Sequence, residues 1–79
     1  MHLQNIFYIW KVELSSKKNM RMKTARMEHG LSQAQLADMV GATRQTIGLI
    51  EAGGYNPSLK LCTAICRVLG KTLDQLFWE

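Results

Sequence analysis

Residues 31–51, which run LSQAQLADMVGATRQTIGLIE, restrict the fold of this chain more than any other stretch. Apolar residues recur at helical spacing in its first half, at Leu36, Ala37 and Val40. Ser32 precedes them and Gln35 follows Ser32 by three residues. This is the spacing of a capping box, in which each side chain satisfies a backbone amide of the other residue. The first half of the stretch therefore predicts an amphipathic helix that starts after Ser32.

The second half of the stretch predicts a tight turn and another helix. Gly41 ends the first helix, because glycine adopts the left-handed conformation of a helix C-terminus at little cost. Thr43 can cap a second helix that runs to Glu51 and buries Ile47 and Ile50. The positions that remain outside the core are Arg44, Gln45, Thr46, Gly48 and Leu49. Two short helices joined by a glycine turn, with a polar outer edge on the second, form the helix-turn-helix plan.

Three more helices are predicted around this pair, near residues 20–29, 59–69 and 73–77. The residues expected to cap them are Gly30, Ser58, Gly70 and Thr72. Their core-facing positions are Met22, Ala25, Leu61, Cys62, Ile65, Val68, Leu69, Leu73, Leu76 and Phe77. Met27 lies off the apolar face of its helix and is expected to be partly buried. The sequence thus predicts an all-α domain of five short helices around one core.

Residues 1–19 form a predicted N-terminal extension. Residues 5–14 alternate with period two, which indicates a β-strand, and residues 15–19 are polar and indicate a turn or linker. A lone strand needs a partner, and residues 20–79 contain no second strand pattern. The same strand of a second subunit is the natural partner across a two-fold axis. The alternative is a loose tail that precedes the usual beginning of such a domain at Met20 or Met22.

Length and charge limit the classes of function. A chain of 79 residues makes one domain and buries only about 60% of its unfolded surface, so its stability is modest unless it dimerises. Its net charge of +4 suits an anionic partner. Residues 20–79 hold seven Lys or Arg and five Asp or Glu, a net charge of +2. The basic residues near the domain start either form a solvated linker or lie near phosphates: Lys17, Lys18, Arg21 and Lys23.

Several other classes of function have no support in the sequence. No run of about 20 apolar residues could span a membrane, and the short run at 6–10 lacks the flanks of a signal peptide, so a cytoplasmic protein with no membrane partner is expected. Cys62 and Cys66 are expected in the core, because His2 and His29 have no metal-ligand spacing relative to them. No nucleophile–base pair or phosphate loop is present, so neither catalysis nor a cofactor is predicted.

Residues 20–79 resemble a Cro/phage-repressor-type helix-turn-helix domain, also called the xenobiotic-response-element family. The landmarks that carry the resemblance are Arg26, residues 30–33, Leu36, Ala37, Gly41, residues 43–47, Ile50, Glu51, Gly53, residues 56–59, Leu69 and Gly70. The chain looks most like minimal one-domain regulators that end soon after an Asp-x-Leu-Phe segment, here residues 74–77. The resemblance implies a five-helix lambda-repressor-like DNA-binding domain. It also implies that Arg26 and Glu51 form a structural ion pair.

Eight residues are expected to contact double-stranded DNA: Gln33, Thr43, Arg44, Gln45, Thr46, Leu49, Tyr55 and Asn56. The start of the second motif helix enters the major groove, where Gln45 can pair with adenine and Arg44 with guanine or a phosphate. Thr46 suits a phosphate or a base edge, and Leu49 suits a thymine methyl group. Phosphate contacts are expected at Gln33, Thr43, Tyr55 and Asn56. The alternative for the glycines and the asparagine in residues 53–56 is that they only form a turn, without contacting DNA.

Gly48 and Leu49 depart from the more polar pattern that is common in the family. A glycine inside a helix costs about 1 kcal/mol relative to alanine. At position 48 it allows the helix backbone to approach DNA closely and removes one side chain that could contact a base. The departure concerns which operator sequence is recognised.

Two interpretations of function follow from the resemblance. The first is a sequence-specific transcriptional regulator, in the form of a repressor that occludes a pseudo-palindromic operator as a homodimer. The second is an antitoxin-like interaction module, which binds its own promoter but has a protein as its main partner. An adjacent toxin gene or a co-purifying protein would favour the second interpretation.

Overall fold

The computed structural model describes residues 18–78 and shows five α-helices in that range. They are α1 (Met20–Glu28), α2 (Gln33–Val40), α3 (Arg44–Ala52), α4 (Leu59–Leu69) and α5 (Leu73–Leu76). The described range contains no strand, and the all-α prediction is confirmed. The strand predicted over residues 5–14 lies outside it. Even α4, which has eleven residues, is too short to cross a bilayer, and no described helix meets that requirement.

Each of the five helices begins at a polar side chain that accepts a hydrogen bond from the amide three residues later. The cap residues are Asn19, Ser32, Thr43, Ser58 and Thr72. The predicted capping box is present, since Gln35 N donates to Ser32 Oγ at 3.0 Å and Ser32 N donates to Gln35 Oε1 at 2.8 Å. Thr72 and Gln75 form a second box. These bonds satisfy first-turn amides that have no partner inside a helix.

Asn19 joins the start of α1 to two other helices. Its backbone N–H donates to Glu51 O at the end of α3 at 3.0 Å, and its Nδ2 donates to Leu76 O at the end of α5 at 2.8 Å. The same side chain accepts from Met22 N at 3.0 Å. Asn19 belonged to the polar segment that was predicted as a turn or linker. In the structure it is a point where three helix ends meet.

One hydrophobic core receives side chains from all five helices. Its buried members are Met22, Ala25, Leu36, Ala37, Ile47, Ile50, Ile65, Cys66, Leu69 and Leu76. Half-buried residues surround it, among them Leu61, Val68, Leu73 and Phe77. The core-facing positions predicted for α1, α2 and α3 are confirmed, because helical spacing in each aligns them on one face. Cys66 joins the predicted apolar face of α4.

Three details of the predicted helices were wrong. α1 ends at Glu28 with His29 as its cap, one residue earlier than expected, although Gly30 directly after it has the expected left-handed conformation, with φ +66°. Met27 is 61% exposed and not partly buried, because it lies on the side of α1 opposite Met22. Phe77 lies outside α5 as its C-terminal cap, where its N–H donates to Leu73 O at 2.8 Å.

Candidate nucleic-acid interface

The turn between α2 and α3 fixes the angle at which the two helices pack. Gly41 has φ +73°, a left-handed conformation that favours glycine. Ala42 N then donates to Ala37 O at 2.9 Å, so the chain leaves α2 in a single direction. Ile47 and Ile50 of α3 are buried on the core side. The opposite side of α3 is left open to solvent.

Three residues predicted to contact bases lie on this open side. Arg44 and Gln45 are exposed in the first turn of α3, and Leu49 is 39% exposed one turn later. Gln45 and Leu49 are four residues apart and therefore neighbours on the same helix face. The structure thus presents Gln45 and Leu49 together on the exposed part of α3, with Arg44 exposed at its start.

Thr43 and Thr46 form a small hydrogen-bonded pair at the start of α3. Thr46 N donates to Thr43 Oγ1 at 3.1 Å, and the two hydroxyl oxygens are 3.0 Å apart. Thr43 is exposed and Thr46 is half-buried. A hydroxyl has one donor and two acceptor sites, so this pair can still bond to a phosphate or a base edge.

Gln33, the first residue of α2, lies beside α3 and is half-buried. Its Nε2 donates to Glu51 Oε1 at 3.1 Å. A Cβ atom placed on Gly48 would lie 3.6–3.9 Å from Gln33 Oε1, Nε2 and Cδ. The flat face of the Gln33 side-chain amide is therefore turned towards Gly48, and a side chain at position 48 would contact it.

The loop after α3 folds back on that helix at Gly54 and continues into Tyr55 and Asn56. Gly54 N donates to Leu49 O at 2.9 Å, which folds the loop back on the helix. A Cβ atom on Gly54 would lie 3.7 Å from Leu49 Cδ2. Tyr55 is 42% exposed and Asn56 is exposed. Both side chains are thus accessible to solvent in the loop that follows α3.

A buried ion pair holds α3 in place behind this face. Arg26 Nε donates to Glu51 Oε2 at 2.7 Å, and Arg26 Nη2 donates to Glu51 Oε1 at 3.1 Å. Arg26 Nη1 also donates to Leu31 O at 2.7 Å. The pair was implied by the family resemblance, and the structure confirms it. A bidentate pair of this kind restricts both position and orientation of the partners, so it fixes α3 relative to α1.

The cysteines of α4 are part of the core. Both are free and buried, as predicted. Burial raises the pKa of both thiols, and the neighbouring Cys66 raises the pKa of Cys62 further. Both thiols are therefore protonated at neutral pH and poor nucleophiles. Within residues 18–78, no three His, Cys, Asp or Glu side chains are grouped so that they could hold a metal ion.

Comparison with known proteins agrees with this geometry. Residues 22–76 match the family model described as Helix-turn-helix. The chain belongs to this helix-turn-helix family, which is of the Cro and phage-repressor type. Membership in the family makes the chain a DNA-binding transcriptional regulator and not an enzyme.

Named relatives come from bacteria, archaea and a phage. An uncharacterized HTH-type transcriptional regulator of Bacillus subtilis, YgzD, is 41% identical over 58 residues, which cover 73% of this chain and 88% of the relative. One from Methanocaldococcus jannaschii is 42% identical over 57 residues, covering 72% and 86%. The immunity repressor protein of Bacillus phage phi105 is 36% identical over 59 residues, covering 75% and 41%. The similarity to these helix-turn-helix proteins includes α2 and α3.

Replacing Gly48 with alanine should raise the free energy of unfolding by up to about 1 kcal/mol, since alanine is the better helix former. The added methyl group would make ordinary van der Waals contact with Gln33, whose nearest atom is 3.6 Å away. Urea denaturation followed by circular dichroism measures the change. A lower midpoint would show that the methyl group disturbs the Gln33 side chain and would contradict this expectation.

Proposed function

We propose that this chain is a sequence-specific repressor that binds a pseudo-palindromic operator as a homodimer in the cytoplasm. One observation supports it above all: Arg44, Gln45 and Leu49 are exposed on a helix whose opposite face is fixed in the core. A rigid helix that presents polar groups at its start suits base recognition in the major groove. Residues 20–79 would form the DNA-binding domain, preceded by an extension over residues 1–19.

Base recognition is assigned to three side chains. Gln45 would bond to N6 and N7 of adenine, and Arg44 would bond to O6 and N7 of guanine or to a phosphate. Leu49 would contact a thymine methyl group. Its exposure and its place one turn beyond Gln45 support this role.

Phosphate contacts are assigned to both sides of α3. Gln33 and the free amides at the start of α2 would bind one phosphate. Thr43 and Thr46 would contact a phosphate at the start of α3. Tyr55 and Asn56, in the loop that follows α3, would contact a phosphate on the opposite side of that helix. Exposed or half-buried positions next to α3 support all five assignments. Such contacts set the register of the protein on DNA, while the base contacts set the sequence.

Repression would follow from occupancy alone. Two recognition helices in a dimer, about 34 Å apart, would dock in successive major grooves and block other proteins from the site. The dimer contact is assigned to the C-terminal region around Phe77 and Trp78, together with the N-terminal extension. Trp78 is 55% exposed and Met20 is 54% exposed in the isolated chain, so apolar surface is available there.

The proposed function predicts a steep dependence of DNA affinity on salt. The logarithm of the binding constant should fall with the logarithm of salt concentration by about 0.9 per neutralised phosphate. Fluorescence anisotropy on a duplex selected from a random pool by the parent protein measures this slope. Arg44→Ala should make it shallower if Arg44 contacts a phosphate. A flat response would favour the antitoxin-like alternative in which a protein is the main partner.

The assembly predicts that losing the dimer abolishes operator binding before the domain unfolds. Trp78→Ala and, separately, removal of residues 1–17, which keeps the Asn19 cap of α1, should each shift the chain to a monomer and lower operator affinity. The monomer of the full-length chain has a mass of 9.0 kDa. Sedimentation at micromolar concentration measures the mass, and circular dichroism measures the helix content. A parent chain that sediments as a monomer under these conditions would refute the dimer.

A further inference from the structure

Glu51 contacts more than its ion-pair partner. Its Oε1 accepts two hydrogen bonds, one from Arg26 Nη2 and one from Gln33 Nε2, both at 3.1 Å. Its Oε2 accepts from Arg26 Nε at 2.7 Å. The side chain of Glu51 is only 4% exposed. A buried carboxylate thus links a core arginine to a side chain at the edge of the interface.

This carboxylate determines which way the side-chain amide of Gln33 faces. An ionised carboxylate only accepts hydrogen bonds, so the amide must turn its NH₂ group inward. The opposite orientation would place the Gln33 carbonyl oxygen against Glu51, two acceptors in a buried place without a proton between them. Arg26 holds the carboxylate itself at two points.

The face of the Gln33 amide is held as well. Its three outer atoms lie within 3.6–3.9 Å of the place where a Cβ on Gly48 would stand. The plane of the amide is therefore parallel to the surface of α3. The second N–H of Nε2, which Glu51 does not use, remains for a partner outside the protein.

We propose that Glu51 is a positioning residue for DNA binding, which acts through Gln33 by orienting its second side-chain N–H towards a phosphate. The inference rests on the proposed function and adds a residue to it that does not itself touch DNA. Arg26, Glu51 and Gln33 form one chain of hydrogen bonds from the core to the phosphate. The amide is oriented before DNA arrives, so its side-chain entropy is not lost on binding.

A double-mutant cycle tests the inference, with Gln33→Ala, Glu51→Gln and the double variant on the duplex selected by the parent. Gln33→Ala should weaken binding about tenfold, as expected for one hydrogen bond to a charged group. Glu51→Gln can orient the amide either way and should weaken binding several-fold when Gln33 is present. With alanine at position 33 the same change should have less than about a twofold effect, because coupled residues are not additive.

The control is Met39→Ala, which removes an exposed side chain of similar length from the same helix, away from the cap and at a residue assigned no DNA contact. It should change affinity less than about twofold, and folding is checked by circular dichroism for every variant. Equal effects of Glu51→Gln in both backgrounds would assign Glu51 a purely structural role and overturn the inference. An unchanged affinity of Gln33→Ala would overturn it too, while the parent would still bind its duplex. Failure of the parent to select any duplex would instead refute the proposed function.

Nuclear magnetic resonance of the parent chain gives a second readout if Glu51→Gln does not fold. In the free protein, the Nε2 proton of Gln33 that is bonded to Glu51 should exchange slowly with water. In the complex, both Nε2 protons should exchange slowly, because the second one is bonded to the phosphate. The exposed side chain of Gln45 is the internal reference in the free protein. Exchange of both Gln33 protons at the rate of Gln45 in the free protein would overturn the inference.

Discussion

Replacing Arg26 with alanine is expected to lower the free energy of unfolding by about 3–5 kcal/mol, because it leaves the buried carboxylate of Glu51 without its charged partner. The carbonyl of Leu31 also loses the hydrogen bond from Arg26 Nη1. Native domains have about 5–15 kcal/mol of stability in total, and small ones lie near the lower limit. From a stability near 5 kcal/mol the variant would keep about 0–2 kcal/mol, so a measurable fraction of it should be unfolded without urea, as urea denaturation at neutral pH would show.

Two further variants separate the ion pair from its surroundings. Arg67→Ala removes an exposed arginine from the last turn of α4 and should change stability by about 0.5 kcal/mol or less. Arg26→Leu combined with Glu51→Leu should be less destabilising than Arg26→Ala, because no charge is left buried and unpaired. If Arg26→Ala had the same urea midpoint as the parent, the ion pair would orient α3 but contribute little to the free energy of unfolding.

Alanine at Gln45 or at Arg44 should weaken operator binding by about 1–3 kcal/mol each without changing the stability of the fold. Both side chains are exposed and neither belongs to the core, so their loss should remove only the proposed DNA contacts. The two losses should be roughly additive if the residues contact separate base pairs. Fluorescence anisotropy at one fixed salt concentration measures affinity, and urea denaturation measures stability.

Sequence preference separates recognition from general electrostatic attraction. Arg67→Ala again serves as the control, since it removes one positive charge at an exposed site outside the proposed interface. It should weaken binding to the selected duplex and to unrelated DNA alike. Gln45→Ala should weaken binding to the selected duplex far more than to unrelated DNA. Recognition would have to be reassigned to other residues if both alanine variants bound the selected duplex as tightly as the parent.

Short-range chemistry made most of the fold predictable from the sequence. Ser32, Thr43, Ser58 and Thr72 each cap the helix that was expected to follow, because a cap and its amide are only three residues apart. Helical spacing placed the buried residues of α2 and α3 for the same reason. Where the signal weakened, at the ends of α1 and α5, the predictions were off by one residue.

In the candidate interface too, features that depend on neighbouring residues were predictable and features that depend on distant residues were not. The exposure of Arg44, Gln45 and Leu49 on one helix was predictable from the sequence, because it follows from the helical period and from the burial of Ile47 and Ile50.

The contacts behind that face depend on residues that are distant in the sequence. Gln33 and Glu51 are 18 residues apart, and Asn19 and Leu76 are 57 apart, so no local pattern could connect either pair. Their hydrogen bonds exist because the core brings the start of α2, the end of α3 and the end of α5 to fixed places. Periodicity and capping act over one helical turn and therefore determine the helices. The orientation of Gln33 depends on a buried charge that reaches it only through the packing of those helices.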